Sequence, residues 1–462
     1  MKFSVITLGC DKNTVDSERI LATLVGHGAV YESEPADAEL LIVNTCAFID
    51  AAKQESIETL LEAARLKGNG SVRALVAVGC MVERYRRELQ RSLPEVDLFL
   101  GLQDLPDLVP QLVMRGLLDE RESRHPGSRL PVGGLRHLSY LKVSEGCDHK
   151  CAFCAIPIWR GRHRSFELER LVEEARALEA RGVVELNLVA QDLAHYGRDL
   201  DGRIGLHHLV ERLVEATQIP WFRLLYIYSA GLRPELVELM ASERRLLSYI
   251  DMPIQHASPR MLELMRRPER PDRLKEKIAW LRSEIPDLTI RTTVLVGFPG
   301  ESDEDFEELL DFMGEVQFDH LGAFAYSPQP GTAGERLLDP VPESVKRERL
   351  SRVQELQRSI VAGRYRDKIG QRVEVIIDRA ANGDVMEGLE GRCRAQAFEI
   401  DGLTYITASD LDLASGDLAV ATVVDADDAD LWAMANELLR PAGQPTDYVE
   451  TTSLDLQTAW GR

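Results

Sequence analysis

From residue 1 to about 101 the chain alternates short, wholly apolar runs with longer stretches in which apolar residues recur every three or four positions. Phe3–Leu8, Leu40–Asn44, Leu75–Val78 and Val96–Leu100 read as buried strands, and Asp16–Val25, Lys53–Leu66 and Glu83–Arg91 as amphipathic helices. Strands that are apolar on both faces belong to a parallel sheet covered by helices, so residues 1–116 are expected to form an open parallel α/β domain. A helix-like stretch, Leu105–Leu118, runs into a charged segment with prolines and glycines that marks a linker over 117–134.

Over 135–365 strand patterns return at Ser139–Val143, Val183–Val189, Phe222–Tyr226, Tyr249–Ile254, Ile290–Val296 and His320–Ala325, each followed by a helical pattern. Six such units predict a partial parallel (β/α)6 barrel, a fold whose loops at the carboxyl ends of the strands carry chemistry. A charged helix, Glu343–Asp367, closes it. The period then shortens to strands at Arg372–Ile377, Leu389–Arg394, Ala397–Ile400, Thr404–Ile406 and Leu418–Val424. Turn signals at Asn382-Gly383, Asp401-Gly402 and Ser415-Gly416 separate them, which predicts a small all-β barrel over 366–435. The tail, 436–462, has Pro441, Pro445 and few large apolar residues, and is expected to be poorly ordered or to dock only as a short piece.

Composition narrows the class. At 462 residues the chain exceeds one ordinary core, and no uncharged apolar run approaches a membrane span. The apolar start is followed at once by Asp11, Lys12, Asp16, Glu18 and Arg19, so it reads as a first strand and a cytoplasmic location is expected. A formal charge of −21 argues against gripping nucleic acid through a broad basic surface and favours a cationic partner. Seven cysteines, an odd number, turn attention from disulfides to metal or redox duty.

Three of those cysteines lie in Glu145-Gly146-Cys147-Asp148-His149-Lys150-Cys151-Ala152-Phe153-Cys154, just after the first strand of the second unit. Thiolates spaced Cys-x3-Cys-x2-Cys on one tight loop match three corners of a 4Fe-4S cluster, whereas full protein ligation takes four. The open iron is where S-adenosylmethionine can chelate and be cleaved reductively to a carbon radical. A thioredoxin-like pair at Cys151 and Cys154 leaves Cys147 unexplained, and a zinc site recruiting His149 or His163 lacks a second Cys-x2-Cys half.

Cys10, Cys46 and Cys80 are dispersed, yet each follows directly on a predicted strand end. Parallel strands put their ends on one crest, so the three thiols can meet there and hold a second cluster. Each taken alone also fits a small buried hydrophobe. Cys393 has no cysteine nearby in sequence and reads as structural.

Leu8-Gly9-Cys10-Asp11-Lys12-Asn13, Asn44-Thr45-Cys46 and Gly79-Cys80 resemble the amino-terminal domain of the methylthiotransferase family. The loop at 145–154 resembles that family's radical S-adenosylmethionine core, and 370–432 resembles its TRAM barrel; the similarity covers about 1–435. Cys10-Asp11-Lys12-Asn13, Val189-Ala190-Gln191-Asp192, Ile254-Gln255-His256-Ala257-Ser258-Pro259-Arg260 and Phe398-Glu399-Ile400-Asp401-Gly402 are similar to the branch that modifies the β-carbon of an aspartate in ribosomal protein uS12. The branch to set against it modifies an adenosine of transfer RNA.

The resemblance implies two 4Fe-4S clusters and S-adenosylmethionine. Cys147, Cys151 and Cys154 would hold the radical-generating cluster, and Cys10, Cys46 and Cys80 an auxiliary cluster that presents sulfur. It further implies that Phe153 lies beside the adenine and that Gln191, Gly297 and Glu301 bind the cofactor, the last two within Val294-Leu295-Val296-Gly297-Phe298-Pro299-Gly300-Glu301. Gly297 and Gly300 are also satisfied as plain turn residues. The implied partners are uS12 as substrate, an electron donor and a sulfur source, with the enzyme a monomer that makes no direct reading of nucleic acid. The loop Pro157-Ile158-Trp159-Arg160-Gly161 departs from the family pattern in detail, and the tail lies outside it.

Charge separates the two branches. Residues 370–435 hold four basic residues and fourteen acidic ones, a net of −10, with few aromatics, Phe398 and Tyr405 among them. A barrel that grips RNA carries a positive groove with stacking aromatics. The run Asp425, Asp427, Asp428, Asp430 fits a solvated face, and also repels phosphate and attracts a basic ribosomal protein. A function of another class, a non-catalytic iron–sulfur protein that binds ribosomes, is separated from the enzyme by cleavage of S-adenosylmethionine on reduction.

Overall fold

The computed structural model describes residues 1–68, 70, 72–120, 129–131, 134–202, 204–380 and 388–442. The Asn382-Gly383 turn, much of the linker and the tail from 443 lie outside the described residues.

The first sheet holds β1 (Lys2–Thr7), β2 (Val30–Tyr31), β3 (Leu40–Thr45), β4 (Ala74–Gly79) and β5 (Leu98–Leu100), all parallel in the order β2-β1-β3-β4-β5. Its helices are α1 (Asp11–Gly26), α2 (Asp50–Gly68), α3 (Cys80–Ser92) and α4 (Leu108–Met114). β3 and β4 are buried along their whole length, and successive residues feed opposite cores, Leu41 and Val43 one side, Leu40 and Ile42 the other. β2 escapes sequence reading because it is two residues long with Val30 exposed.

The second sheet contains β6 (Leu138–Lys142), then, after the short antiparallel pair β7 (Ser144–Glu145) and β8 (Arg164–Ser165), β9 (Glu185–Val189), β10 (Trp221–Leu224), β11 (Leu246–Asp251), β12 (Thr289–Val296) and β13 (His320–Ala325). Its order, β13-β12-β11-β10-β9-β6, is parallel throughout and open at both edges, a partial barrel. Among its helices are α5 (Ile156–Trp159), α6 (Leu168–Ala180), α7 (Leu206–Ala216), α8 (Pro234–Ser242), α9 (Pro259–Leu264), α10 (Pro271–Glu284), α11 (Asp303–Val316) and α12 (Glu343–Arg366), the last lying against β13. α1 of the first sheet packs on β6, and buried ion pairs stitch the seam: Lys142 with Asp16, and Arg129 with Glu18 and Glu174.

β14 (Arg372–Ala380), β15 (Leu389–Cys393), β16 (Thr404–Ala408), β17 (Leu418–Ala426) and β18 (Leu431–Arg440) close into a barrel, with Cys393 in its core. Two expectations are corrected here. Ala397–Ile400 is not a strand; it forms turns, and Ala397 is apolar because it packs against Trp221, Leu247 and Tyr249 of the second sheet. The remaining barrel strand is β18, which continues to Arg440 and so enters the stretch assigned to the tail; only Leu431 and Ala433 are buried along it, too few for a strand pattern to show. β18 also supplies a third aromatic, Trp432, stacked on Tyr405 at 5.8 Å between ring centroids.

The four arginines of residues 370–435 are all paired. Arg372 meets Glu437 and Arg379 meets Glu390, while Arg394 meets Glu374 and also donates to the Arg244 carbonyl. Arg392 is fully buried at the joint with the second sheet, 2.7 Å from Asp378 and 2.6 Å from Glu185, whose other oxygen takes Arg223 at 2.7 Å. Burial pushes the Glu185 carboxyl up, but Arg392 and Arg223 hold it below its ordinary value. Arg392→Ala would leave Asp378 with His137 and Glu185 with Arg223, each buried carboxylate losing one of its cationic partners, so a loss of about 3–5 kcal/mol is expected in chemical denaturation followed by tryptophan fluorescence. A loss within the roughly 0.5 kcal/mol of an ordinary surface change would contradict this.

Candidate active site

The carboxyl ends of β1, β3 and β4 lie side by side, with Thr7 opposite Asn44 and Thr45 opposite Gly79. Cys10, Cys46 and Cys80 follow those ends on one crest. Gly9 has φ +92°, and a Cβ there would sit 2.8 Å from both Cβ and Sγ of Cys46, so glycine is what lets the first strand end approach the second. Asn13, wholly buried, ties the loops by donating to the carbonyls of Leu8 at 2.8 Å and Thr45 at 3.2 Å. Cys10 caps α1 and Cys80 begins α3, so two of the thiols stand at helix amino termini, where backbone N–H groups favour anionic sulfur.

Burial pushes the Cys46 thiol up to about 11, with Cys10 adding to the shift and the Phe48 and Ala47 N–H groups opposing it. Burial likewise pushes Cys80 up to about 12 against the pull of Arg160. Crowded, desolvated thiols that already face N–H donors suit a bound metal, which takes the place of their protons.

The second triad lies between β7 and α5. Its loop is held by backbone bonds: Cys147 N–H to Gly161 O at 3.1 Å, Ala152 N–H to Met265 O at 2.9 Å and Gly334 N–H to Ala152 O at 2.7 Å. Burial pushes Cys147 up to about 11 and Cys154 up to about 12, with the thiol of Cys151 adding to both and the N–H groups of His149 and Ile156 opposing. Arg267 points Nη1 at Cys151 Sγ from 3.9 Å.

Among the described residues, the one set of three His, Cys, Asp or Glu ligand atoms within 4.8 Å of one another is His149, Asp192 and His195. Neither cysteine triad is drawn in that far, whereas thiolates around one tetrahedral zinc lie about 3.8 Å apart, given a Zn–S bond of about 2.3 Å. A cluster of several irons spans the wider gap. The histidine set is a brace: Asp192 Oδ2 lies 2.8 Å from His149 Nε2 and 2.6 Å from His195 Nδ1, and the His149 ring stacks on Tyr228 at 4.1 Å. Burial pushes the Asp192 carboxyl up, but His149 and His195 hold it well below the usual range.

The structure also positions the residues expected to bind the cofactor. Phe153 is half-buried against a cluster that includes Ala152, Met261, Met265, Phe298 and Tyr326. Gln191, just past the end of β9, donates to Glu145 at 3.0 Å, and its own Oε1 is buried with no hydrogen-bond partner among the described residues, beside the cysteine loop. Glu301 has an internal role: Oε2 accepts the Gly297 and Phe298 N–H groups at 2.5 and 3.2 Å, and Oε1 accepts from Arg349 at 2.9 Å. A Cβ on Gly297 would meet Lys346 Cγ at 2.3 Å, so packing of α12 requires glycine there whatever is bound.

Sequence reasoning missed the charged chain joining the two triads. Glu145 accepts from Lys142 at 2.9 Å, from Gln191 and from Arg160 at 2.7 Å, and Arg160 reaches on to Cys80. The one sequence signal was the departure of the loop over 157–161 from the family pattern.

Comparison with known proteins gives the family. Residues 2–101 match the model described as uncharacterized protein family UPF0004, 141–313 match the radical SAM superfamily and 369–435 match the TRAM domain. A protein of Anaeromyxobacter sp. (strain K) named ribosomal protein uS12 methylthiotransferase RimO is 45% identical over 430 residues, covering 92% of this chain and 91% of its own. One of the same name from Desulforudis audaxviator is 45% identical over 441 residues, covering 94% and 96%. Among solved structures, the radical S-adenosylmethionine methyltransferase TsrM from Kitasatospora setae superposes with a TM-score of 0.52 at 15% identity over 72% of this chain and 76% of its own, a likeness of fold alone. With such identity sustained over more than nine-tenths of both chains in the first two cases, this chain belongs to the RimO family of radical S-adenosylmethionine methylthiotransferases.

Proposed function

We propose that this protein attaches a methylthio group to the β-carbon of an aspartate in ribosomal protein uS12, and that its six crest and loop cysteines hold two 4Fe-4S clusters. The observation that carries the reading is the 45% identity to proteins of that name across the whole architecture. Cys147, Cys151 and Cys154 would hold the radical-generating cluster, and Cys10, Cys46 and Cys80 the auxiliary one. With S-adenosylmethionine, these groups would supply a carbon radical for hydrogen removal and, separately, the sulfur atom and the methyl group that are transferred.

The chain's own residues bind and orient. Phe153 offers an apolar face and Gln191 a free acceptor to the cofactor, while the Glu301 staple holds the neighbouring loop in shape around Gly297. The acidic barrel, its arginines all engaged, draws a basic protein and repels a phosphate backbone. An electron donor and a sulfur source complete the reaction, in the cytoplasm, with the enzyme a monomer; among the described residues no helix is long and apolar enough to cross a membrane.

The test offers the reduced, reconstituted enzyme either uS12 or unmodified transfer RNA and follows both by mass spectrometry. A methylthio increment on an aspartate of uS12 is expected. An increment on transfer RNA alone would overturn the substrate, and no cleavage of S-adenosylmethionine at all would favour a non-catalytic protein.

A further inference from the structure

Arg160 follows the second cysteine triad in the chain, six residues after Cys154, but its guanidinium ends at the first. Nη2 lies 3.1 Å from Cys80 Sγ and 2.9 Å from Asn13 Oδ1, while Nη1 lies 2.7 Å from Glu145 Oε1, two residues ahead of Cys147. The residue is 8% exposed. Its position is held from both ends, because Ala155 and Trp159 of the same segment belong to the apolar core of the first sheet beside Leu8, Leu41 and Val43. One arginine therefore joins the loops of both triads across the seam between the two sheets.

A bland account is available: a guanidinium that merely closes a domain interface by ion pairing. The geometry argues for more. Nη1 is taken up by ion pairing: it holds Glu145 at 2.7 Å and stands 4.0 Å from Asp16, which is itself paired with Lys142. Nη2 is turned instead to Cys80 Sγ and Asn13 Oδ1, and pairing with a carboxylate does not explain that direction.

We propose that Arg160 is a positioning residue that raises the reduction potential of the cluster held by Cys10, Cys46 and Cys80. The proposal rests on the assignment of that cluster to those cysteines. An N–H donated to a ligating thiolate withdraws electron density from it, and a cation in a site shielded from water stabilises the extra negative charge of the reduced cluster. Both effects act in the same direction. Glu145 opposes the charge effect only in part, since Lys142 and Gln191 share its oxygens.

The experiment uses the full chain carrying Cys147→Ala, Cys151→Ala and Cys154→Ala, so that the remaining iron reports on one cluster. That parent is compared with versions that also carry Arg160→Gln or Arg160→Lys, by iron and sulfide counts and by dithionite titration followed by electron paramagnetic resonance. Arg160→Gln is expected to lower the reduced-to-oxidised ratio at a given solution potential about tenfold, which is about 59 mV for a one-electron couple. Arg160→Lys keeps the charge without the planar fork and should recover part of the loss. An unchanged potential in Arg160→Gln at full iron content overturns the proposal. Should that variant fail to hold iron, Arg160→Lys decides: a smaller fall supports the proposal and an unchanged potential overturns it. A parent without iron would instead overturn the cluster assignment, a distinct result.

Discussion

Replacing Cys147, Cys151 and Cys154 together by alanine should leave the protein with about half of its iron after anaerobic reconstitution, and with production of 5′-deoxyadenosine at background. The expectation follows from how the site is built. The three thiols sit on one loop whose shape comes from backbone bonds at Cys147, Ala152 and Gly334 and from the His149–Asp192 brace, none of which needs sulfur. The first triad stands on a different sheet, at the ends of strands that alanine at 147–154 does not touch. Loss of one cluster should therefore spare the other. Iron analysis and chromatography of the nucleoside product check both halves, and full iron retention in the triple variant would refute the assignment.

Replacing Cys10, Cys46 and Cys80 by alanine should give the complementary result: cleavage of S-adenosylmethionine persists while methylthio product disappears. Cys46 and Cys80 are buried, 7% and 6% exposed, so each truncation leaves only a small cavity and costs about 1 kcal/mol. Arg160 would lose its sulfur partner but keep Asn13 and Glu145, so the second loop should remain in place. On the proposed division of roles, the radical-generating half then has what it needs, and the sulfur-delivering half does not. Mass spectrometry of uS12 beside a nucleoside assay reads the two activities separately; methylthio product at the wild-type rate would rule the division of roles out.

The fold class was legible because its signals are local. β3 and β4 are buried on both faces, and such strands show up as uninterrupted apolar runs, Leu40–Asn44 and Leu75–Val78. The six strands of the second sheet were found from their apolar residues too, although β12 alternates buried with half-buried positions and in β13 only His320 is buried. β18 was missed because only Leu431 and Ala433 are buried along it, and Ala397–Ile400 was misread because Ala397 serves a contact with the second sheet while Ile400 is exposed. Apolar character records burial and does not record what does the burying.

By itself, the amino-acid sequence determined the order of the three folding units, the contiguous cysteine loop and the position of three further cysteines at strand ends. Each of these depends on a residue's near neighbours in the chain, or on the rule that parallel strands end together. The excess of acid in the barrel was also open to counting. Only the tertiary structure decided which charges are buried and with what: Arg392 between Asp378 and Glu185, Glu301 stapled to Gly297 and Arg349, and Arg160 between Glu145 and Cys80. A charged side chain looks the same in sequence whether it faces water or a partner 80 residues away, as Arg160 is from Cys80. Burial of a charge is tolerable only when a partner arrives with it, and the partner is supplied by the fold.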